Sequence, residues 1–198
     1  MKERMNVMSA NVLGLLGSLR YPSKTEEALR ICLKAAERRG CTTSIFDGRI
    51  TPLEFCDGRD EEDTYVEGVA LLREKVREAD AIVIASPEYS GSYSAFAKNM
   101  IDFLGPDYLQ GKWAGVIGVA AGNSAANTVA HLSAILARNG CWLVPTPVEL
   151  PASHTIFSQH ASSPTAKHLV SLLNALGENI AFSVNQINRR QYENHTSQ

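Results

Sequence analysis

The sequence predicts a doubly wound α/β fold, a five-stranded parallel sheet with helices on both faces. Three observations predict it. Short apolar runs alternate with longer stretches of helical periodicity, in the order β-α-β-α-β-α-β-α-β-α. The runs are continuous rather than alternating, as strands are when helices cover both faces of a sheet. The length of 198 residues, 44% hydrophobic and 20% charged, suits one domain with a sizeable core.

Each element has its own signal. Val12, Leu13, Leu15 and Leu16 make 12–16 a buried strand. Ala28, Leu29, Cys32, Ala35 and Ala36 repeat at helical spacing over 24–39, and Gly40 is a stop. Residues 42–46 have strand character. Residues 48–63 are polar and turn-rich and read as a solvated loop. Val69, Leu72, Val76 and Ala79 give a helix over 66–79. Residues 81–85 are the clearest buried strand, followed by a turn over 86–91 and a helix over 94–104. A strand is expected at 114–119, a loop at 120–124 and a helix at 127–139. A fifth strand starts at Trp142, and Pro145 and Pro147 make it an edge or a bent strand. A loop over 151–163 leads to a last helix over 165–185, and the polar tail from Arg189 is expected to fray.

Composition removes several function classes. Nineteen basic against 21 acidic residues leave a net charge of −2, which is no basis for nucleic-acid binding. It equally disfavours a strongly acidic docking surface for protein electron carriers. The four cysteines, 32, 41, 56 and 141, form no CxxC and read as thiols in a reducing compartment. The five histidines show no ligand spacing such as HExxH, so no metal site is expected. The apolar stretch after Lys2 and Arg4 is too short for a signal peptide, and no run reaches the ~20 residues of a membrane span. The cytoplasm is the expected location.

On a doubly wound sheet, ligands bind beyond the carboxyl ends of the strands. That rule selects three loops. The first, 17–25, opens a helix and carries Ser18, Arg20, Ser23 and Thr25. Free N–H groups at a helix start, hydroxyls and a guanidinium suit a terminal phosphate. The loop is neither Walker A nor GxGxxG, so a phosphomonoester fits better than a dinucleotide. Simple N-capping by Ser23 or Thr25 explains the same residues. The second loop carries Pro87, Glu88, Tyr89, Ser90 and Gly91, suited to a flat ring but also to an ordinary turn. The third, with Gly122 among small residues, lets a ligand approach the backbone or merely packs tightly.

Gly17-Ser18-Leu19-Arg20-x-x-Ser23 before a helix, Ser86-Pro87-Glu88-Tyr89-Ser90-Gly91-Ser92, and then Lys98-Asn99-x-x-Asp102-x-Leu104 together resemble the NADPH-dependent FMN reductase family. The resemblance covers roughly residues 10–180, and its combination of motifs is specific. It implies a flavodoxin-like fold and an enzyme of the kind that includes quinone, azo and chromate reductases. Ser18, Arg20, Ser23 and Thr25 would hold the FMN phosphate. Pro87, Glu88, Tyr89, Ser90 and Gly91 would line the isoalloxazine, with Gly122 near its pyrimidine side. Lys98, Asn99 and Asp102 would be structural or at a subunit contact. NADPH or NADH would visit as a transient co-substrate, with the flavin N5 as reactive centre and no catalytic side chain. A quinone, azo compound, flavin or metal oxyanion would then take two electrons. The assembly would be a homodimer or homotetramer; Phe96, Met100 and Phe103 give the 94–104 helix apolar surface on more than one side.

There are departures. Thr25 stands at or beside a common Asn, Ala95 and Ala97 replace a glycine and a leucine, and loop three retains only Gly122. These keep two other readings open: an electron-shuttling flavodoxin, and a binding module that has lost the flavin.

Overall fold

The structure, a computed structural model, describes residues 9–59, 64–157 and 163–195, with 187–195 as backbone alone. The elements in chain order are β1 (Asn11–Leu16), α1 (Lys24–Arg38), β2 (Thr42–Asp47), α2 (Glu67–Glu78), β3 (Ala81–Tyr89), β4 (Ser92–Tyr93), α3 (Ala95–Leu109), β5 (Trp113–Val119), α4 (Ala126–Arg138), β6 (Trp142–Leu143), β7 (Val148–Leu150), α5 (Ser153–Ile156) and α6 (Pro164–His195). The parallel sheet runs β2-β1-β3-β5, and β6 and β7 share the fifth position beside β5. The order reverses between β1 and β3, which places a switch point at their carboxyl ends.

The continuous apolar strands divide their side chains between two cores. Val12, Leu16, Val83, Ala85 and Ile117 face α1 and α6. Leu13, Leu15, Ile82, Ile84 and Val116 face α2, α3 and α4. Helices α1 and α6 touch closely at Gly177, where a Cβ would stand 2.1 Å from the Cys32 carbonyl oxygen.

Four expected boundaries move, each for a local reason. Strand β3 continues through 86–89 instead of turning, because Pro87 keeps its register with Val119 and Glu88 and Tyr89 pair with Tyr93 and Ser92. The turn shrinks to the hairpin tip, Ser90 (φ 51°) and Gly91 (φ 77°). Helix α3 passes Leu104 and kinks at Gly105 (φ 55°), ahead of Pro106. The fifth strand is broken between β6 and β7 by Pro145, Thr146 (φ 73°) and Pro147. Helix α6 runs on to His195, through a stretch without Gly or Pro where fraying was expected. The acidic residues 60–63 of the expected loop lie outside the described residues.

Met100 and Phe103 turn the apolar side of α3 inward rather than to the surface. Met100 and Phe103 are 0% and 2% exposed inside the monomer's own core, and Phe96 packs against Gly48. Asn99 is buried and ties down the preceding loop. Its Nδ2 donates to the Glu54 carbonyl (2.7 Å), and its Oδ1 accepts from the Cys56 N–H (2.9 Å). Lys98 and Asp102 form an ion pair on the same helix. Burial pushes the Cys32 thiol up to about 12 and the Cys141 thiol up to about 11. Among the described residues no helix is long and apolar enough to cross a membrane.

Candidate functional site

A cavity of about 300 Å³ opens at the carboxyl end of the sheet, over the switch point. Ser18, Arg20, Ser23 and Thr25 line it from loop one, and Pro87, Glu88 and Tyr89 from the end of β3. Two other surface grooves are of similar or larger size, about 390 and 460 Å³. They lie along α6 and between α1 and edge strand β2, away from the switch point.

Loop one is held by buried serines. The Gly17 N–H donates to the Ala85 carbonyl (2.7 Å), and the Gly17 carbonyl accepts from Ser94 Oγ (2.6 Å). Ser86 Oγ in turn accepts from the Ser94 N–H (2.9 Å). A Cβ at position 17 would stand 2.8 Å from the Ala85 oxygen and 2.9 Å from the Ala97 Cβ. Position 17 therefore has no room for a side chain.

The start of α1 is open. Ser23 is its N-cap, and its Oγ accepts from the Glu26 N–H (3.2 Å). Capping and ligand binding are thus not alternatives for Ser23, since its hydroxyl hydrogen remains to donate. The N–H groups of Ser23, Lys24 and Thr25 have no hydrogen-bond partner among the described residues, and all three residues line the cavity. The guanidinium of Arg20 likewise has no carboxylate or hydrogen-bond partner among the described residues. Ser18, 2% exposed, orients the loop by accepting from the Arg20 N–H (3.3 Å). Three open amides, hydroxyls and an unpaired cation form a donor set for a doubly charged oxyanion.

The start of α4 is closed by contrast. The Thr128 N–H donates to Glu88 (3.2 Å), and the Ala125 N–H donates to Glu149 (2.8 Å). Two carboxylates already occupy the positive end of that helix. Glu88 thereby fastens the β3–β4 hairpin to α4. A second tie joins Ser92 Oγ and His131 Nδ1 at 2.9 Å.

The structure brings together Ser18, Arg20, Ser23, Thr25, Pro87, Glu88 and Tyr89. It leaves Ser90, Gly91 and Gly122 outside the cavity wall. Ser90 and Gly91 form the exposed hairpin tip. Gly122 is turned to loop closure, its carbonyl accepting from the Ala152 N–H (2.7 Å). The Ala120 carbonyl likewise accepts from the Ser153 N–H (2.9 Å). Together these bonds seat α5, so that Ser153 and His154 join the cavity wall. Sequence reading placed both in a featureless loop, and neither carries a spacing that links it to loop one.

Fold and site define a flavodoxin-like α/β protein that offers an open helix start to an anion at its switch point. The chain belongs to the NADPH-dependent FMN reductase family, whose sequence pattern residues 10–155 match, and it is accordingly an FMN-dependent NAD(P)H oxidoreductase. It is 29% identical over 137 residues to the FMN-dependent NADPH-azoreductase of Staphylococcus aureus, covering 68% of this chain and 73% of that one. Among solved structures it resembles a flavoenzyme NAD(P)H:(acceptor) oxidoreductase from Paracoccus denitrificans, at 27% identity and TM-score 0.67 over 86% of this chain and 97% of that one. An NADH:FMN oxidoreductase shares the fold at 16% identity and TM-score 0.71, covering 88% and 90% of the two chains. The donor set at α1 fits the phosphate of FMN, a monoester dianion.

Proposed function

We propose that this chain binds FMN with its phosphate at the start of α1 and its ring against the end of β3, and that it reduces small flat acceptors. Ser18, Arg20, Ser23 and Thr25 hold the phosphate. Pro87, Glu88 and Tyr89 form one wall for the isoalloxazine, with Ser90, Gly91 and Gly122 at its margin. The observation that carries this reading is the trio of unpaired amides at 23–25 sharing one cavity with Arg20 and the β3 end. When bound, FMN supplies the capacity to take a hydride from NADPH or NADH and to pass two electrons on.

The chain's own part is position and electrostatics. Open amides and Arg20 neutralise the phosphate. Glu88 and Ser92 hold the hairpin against α4, which fixes the wall behind the ring. Tyr89, 54% exposed, offers an aromatic face at the mouth for a planar acceptor. The acceptor class is a quinone or azo compound, with free flavin and metal oxyanions as further substrates. The protein acts as a homodimer or homotetramer in the cytoplasm. Leu19, Tyr21, Ile50 and Phe55, all exposed on loops, supply apolar surface for such an assembly.

Steady-state NADPH oxidation tests the acceptor class, with a benzoquinone, an azo dye, free FMN and chromate offered separately. Turnover with the quinone and the azo dye above the rate with oxygen alone is the expected result. NADPH oxidation that none of the four accelerates overturns the assignment.

A further inference from the structure

Arg49 lies outside the cavity wall, yet it has the densest set of polar contacts beside it. Its Nε donates to Asp47 at 2.9 Å, and its Nη2 donates to Asp47 at 2.5 Å and to Glu26 at 2.6 Å. Its Nη1 donates to the Arg20 carbonyl at 3.1 Å. The side chain is 18% exposed. One guanidinium thus joins the end of β2, the first turn of α1 and the backbone of loop one.

Its effect on Glu26 is specific. Ser23 and Glu26 stand in the spacing of a capping box, in which the carboxylate returns to the N–H of the capping serine. Only half of that box forms. The Glu26 N–H meets Ser23 Oγ, but the carboxylate is drawn away, one oxygen to Arg30 (2.9 Å) and the other to Arg49. The Ser23 N–H is left without a partner among the described residues. Burial opposes ionisation of Glu26, but the hydrogen bonds from Arg49 and Arg30 outweigh it and hold the carboxyl below its ordinary value. Glu26 is therefore a full negative charge in the first turn of the helix that has to receive a phosphate, and its two arginines are what cancel it.

We propose that Arg49 is a positioning residue for the FMN phosphate: it withdraws the Glu26 carboxylate from the capping position, neutralises it, and fixes the Arg20 backbone. This rests on the reading of loop one as the phosphate site. Removing Arg49 frees Glu26 to reclaim the Ser23 N–H and to repel the phosphate. The loss therefore falls on the phosphate and is undone by removing Glu26 as well.

Titration of the full chain with FMN and with riboflavin, followed by quenching of flavin fluorescence, tests this. Arg49→Met is expected to weaken FMN at least about tenfold and leave riboflavin within about twofold, because riboflavin has no phosphate. Adding Glu26→Ala to Arg49→Met is expected to recover at least about threefold of the lost FMN affinity. Should Arg49→Met not fold, Arg49→Lys keeps the charge but not the fork; an FMN-selective loss of about threefold or more, again reduced by Glu26→Ala, is then expected. No loss, equal weakening of both flavins, or no recovery on removing Glu26 overturns the role of Arg49. A wild-type protein that binds riboflavin as tightly as FMN overturns the phosphate site itself and this inference with it.

Discussion

The guanidinium of Arg20 has no partner among the described residues, and Ser18, which accepts from the Arg20 N–H, is buried. Their joint replacement by alanine removes charge-assisted donors, each worth roughly 1.5–3 kcal/mol. FMN affinity is expected to fall at least about a hundredfold in a fluorescence titration; unchanged affinity would place the phosphate elsewhere. The neighbouring carboxylates set an acid limit. The Arg49 hydrogen bonds lower Asp47, and they also lower Glu26 against the opposing effect of its burial. A depressed carboxyl contributes stability that is present above its unfolded value, near 4, and is lost as pH falls through the folded value. The melting temperature is therefore expected to fall below about pH 4, and Arg49→Met to flatten that acid limb. An identical acid limb in the variant contradicts the assignment. That Ser18, Arg20, Ser23 and Thr25 share one cavity wall was legible because a helix start after a strand is a local pattern. Arg49 was not, because it lies in a turn-rich stretch and reaches Arg20 and Glu26 only through the fold.

At the scale of elements, continuous apolar runs made β1, β3 and β5 legible, since strands buried on both faces tolerate little else; β2, an edge strand, was legible from its β-branched residues and Phe46. The fifth was legible only as bent, and its split into β6 and β7 follows from Pro145 and Pro147. The extension of β3 into the hairpin was hidden because Ser86, Pro87 and Glu88 read locally as a turn. Tertiary pairing with β5 and β4 overrides that preference. A small-residue contact sets the packing of α1 against α6. At Gly177 the α1 backbone is so near that Gly177→Ala forces α1 and α6 apart. A cost of roughly 1–3 kcal/mol is expected, or a melting temperature lower by about 2–4 °C per kcal/mol. Calorimetry checks this, and an unchanged melting temperature would mean that the two helices separate freely. The closed start of α4 matters in the same way. Glu88 and Glu149 make α1 the only one of these two helix starts that is open to an anion.

At the scale of the molecule, the proposed site is the cavity at the switch point of the sheet, and on that reading nicotinamide and acceptor both reach the ring through it. Taking turns at one opening predicts parallel lines in double-reciprocal plots when NADPH and quinone are varied together. Intersecting lines would mean that both are bound at once. The near-neutral charge of −2 accords with small-molecule acceptors rather than an acidic docking partner. The apolar surface of α3 read from sequence was misleading at this scale, because Met100 and Phe103 are absorbed into the monomer's core. The most direct measurement is the visible absorbance of the FMN-loaded protein, recorded without oxygen as NADPH is added and a quinone then follows. Loss of the flavin band on adding NADPH and its return on adding quinone are the expected result. A band that stays oxidised with both NADPH and NADH contradicts the assignment.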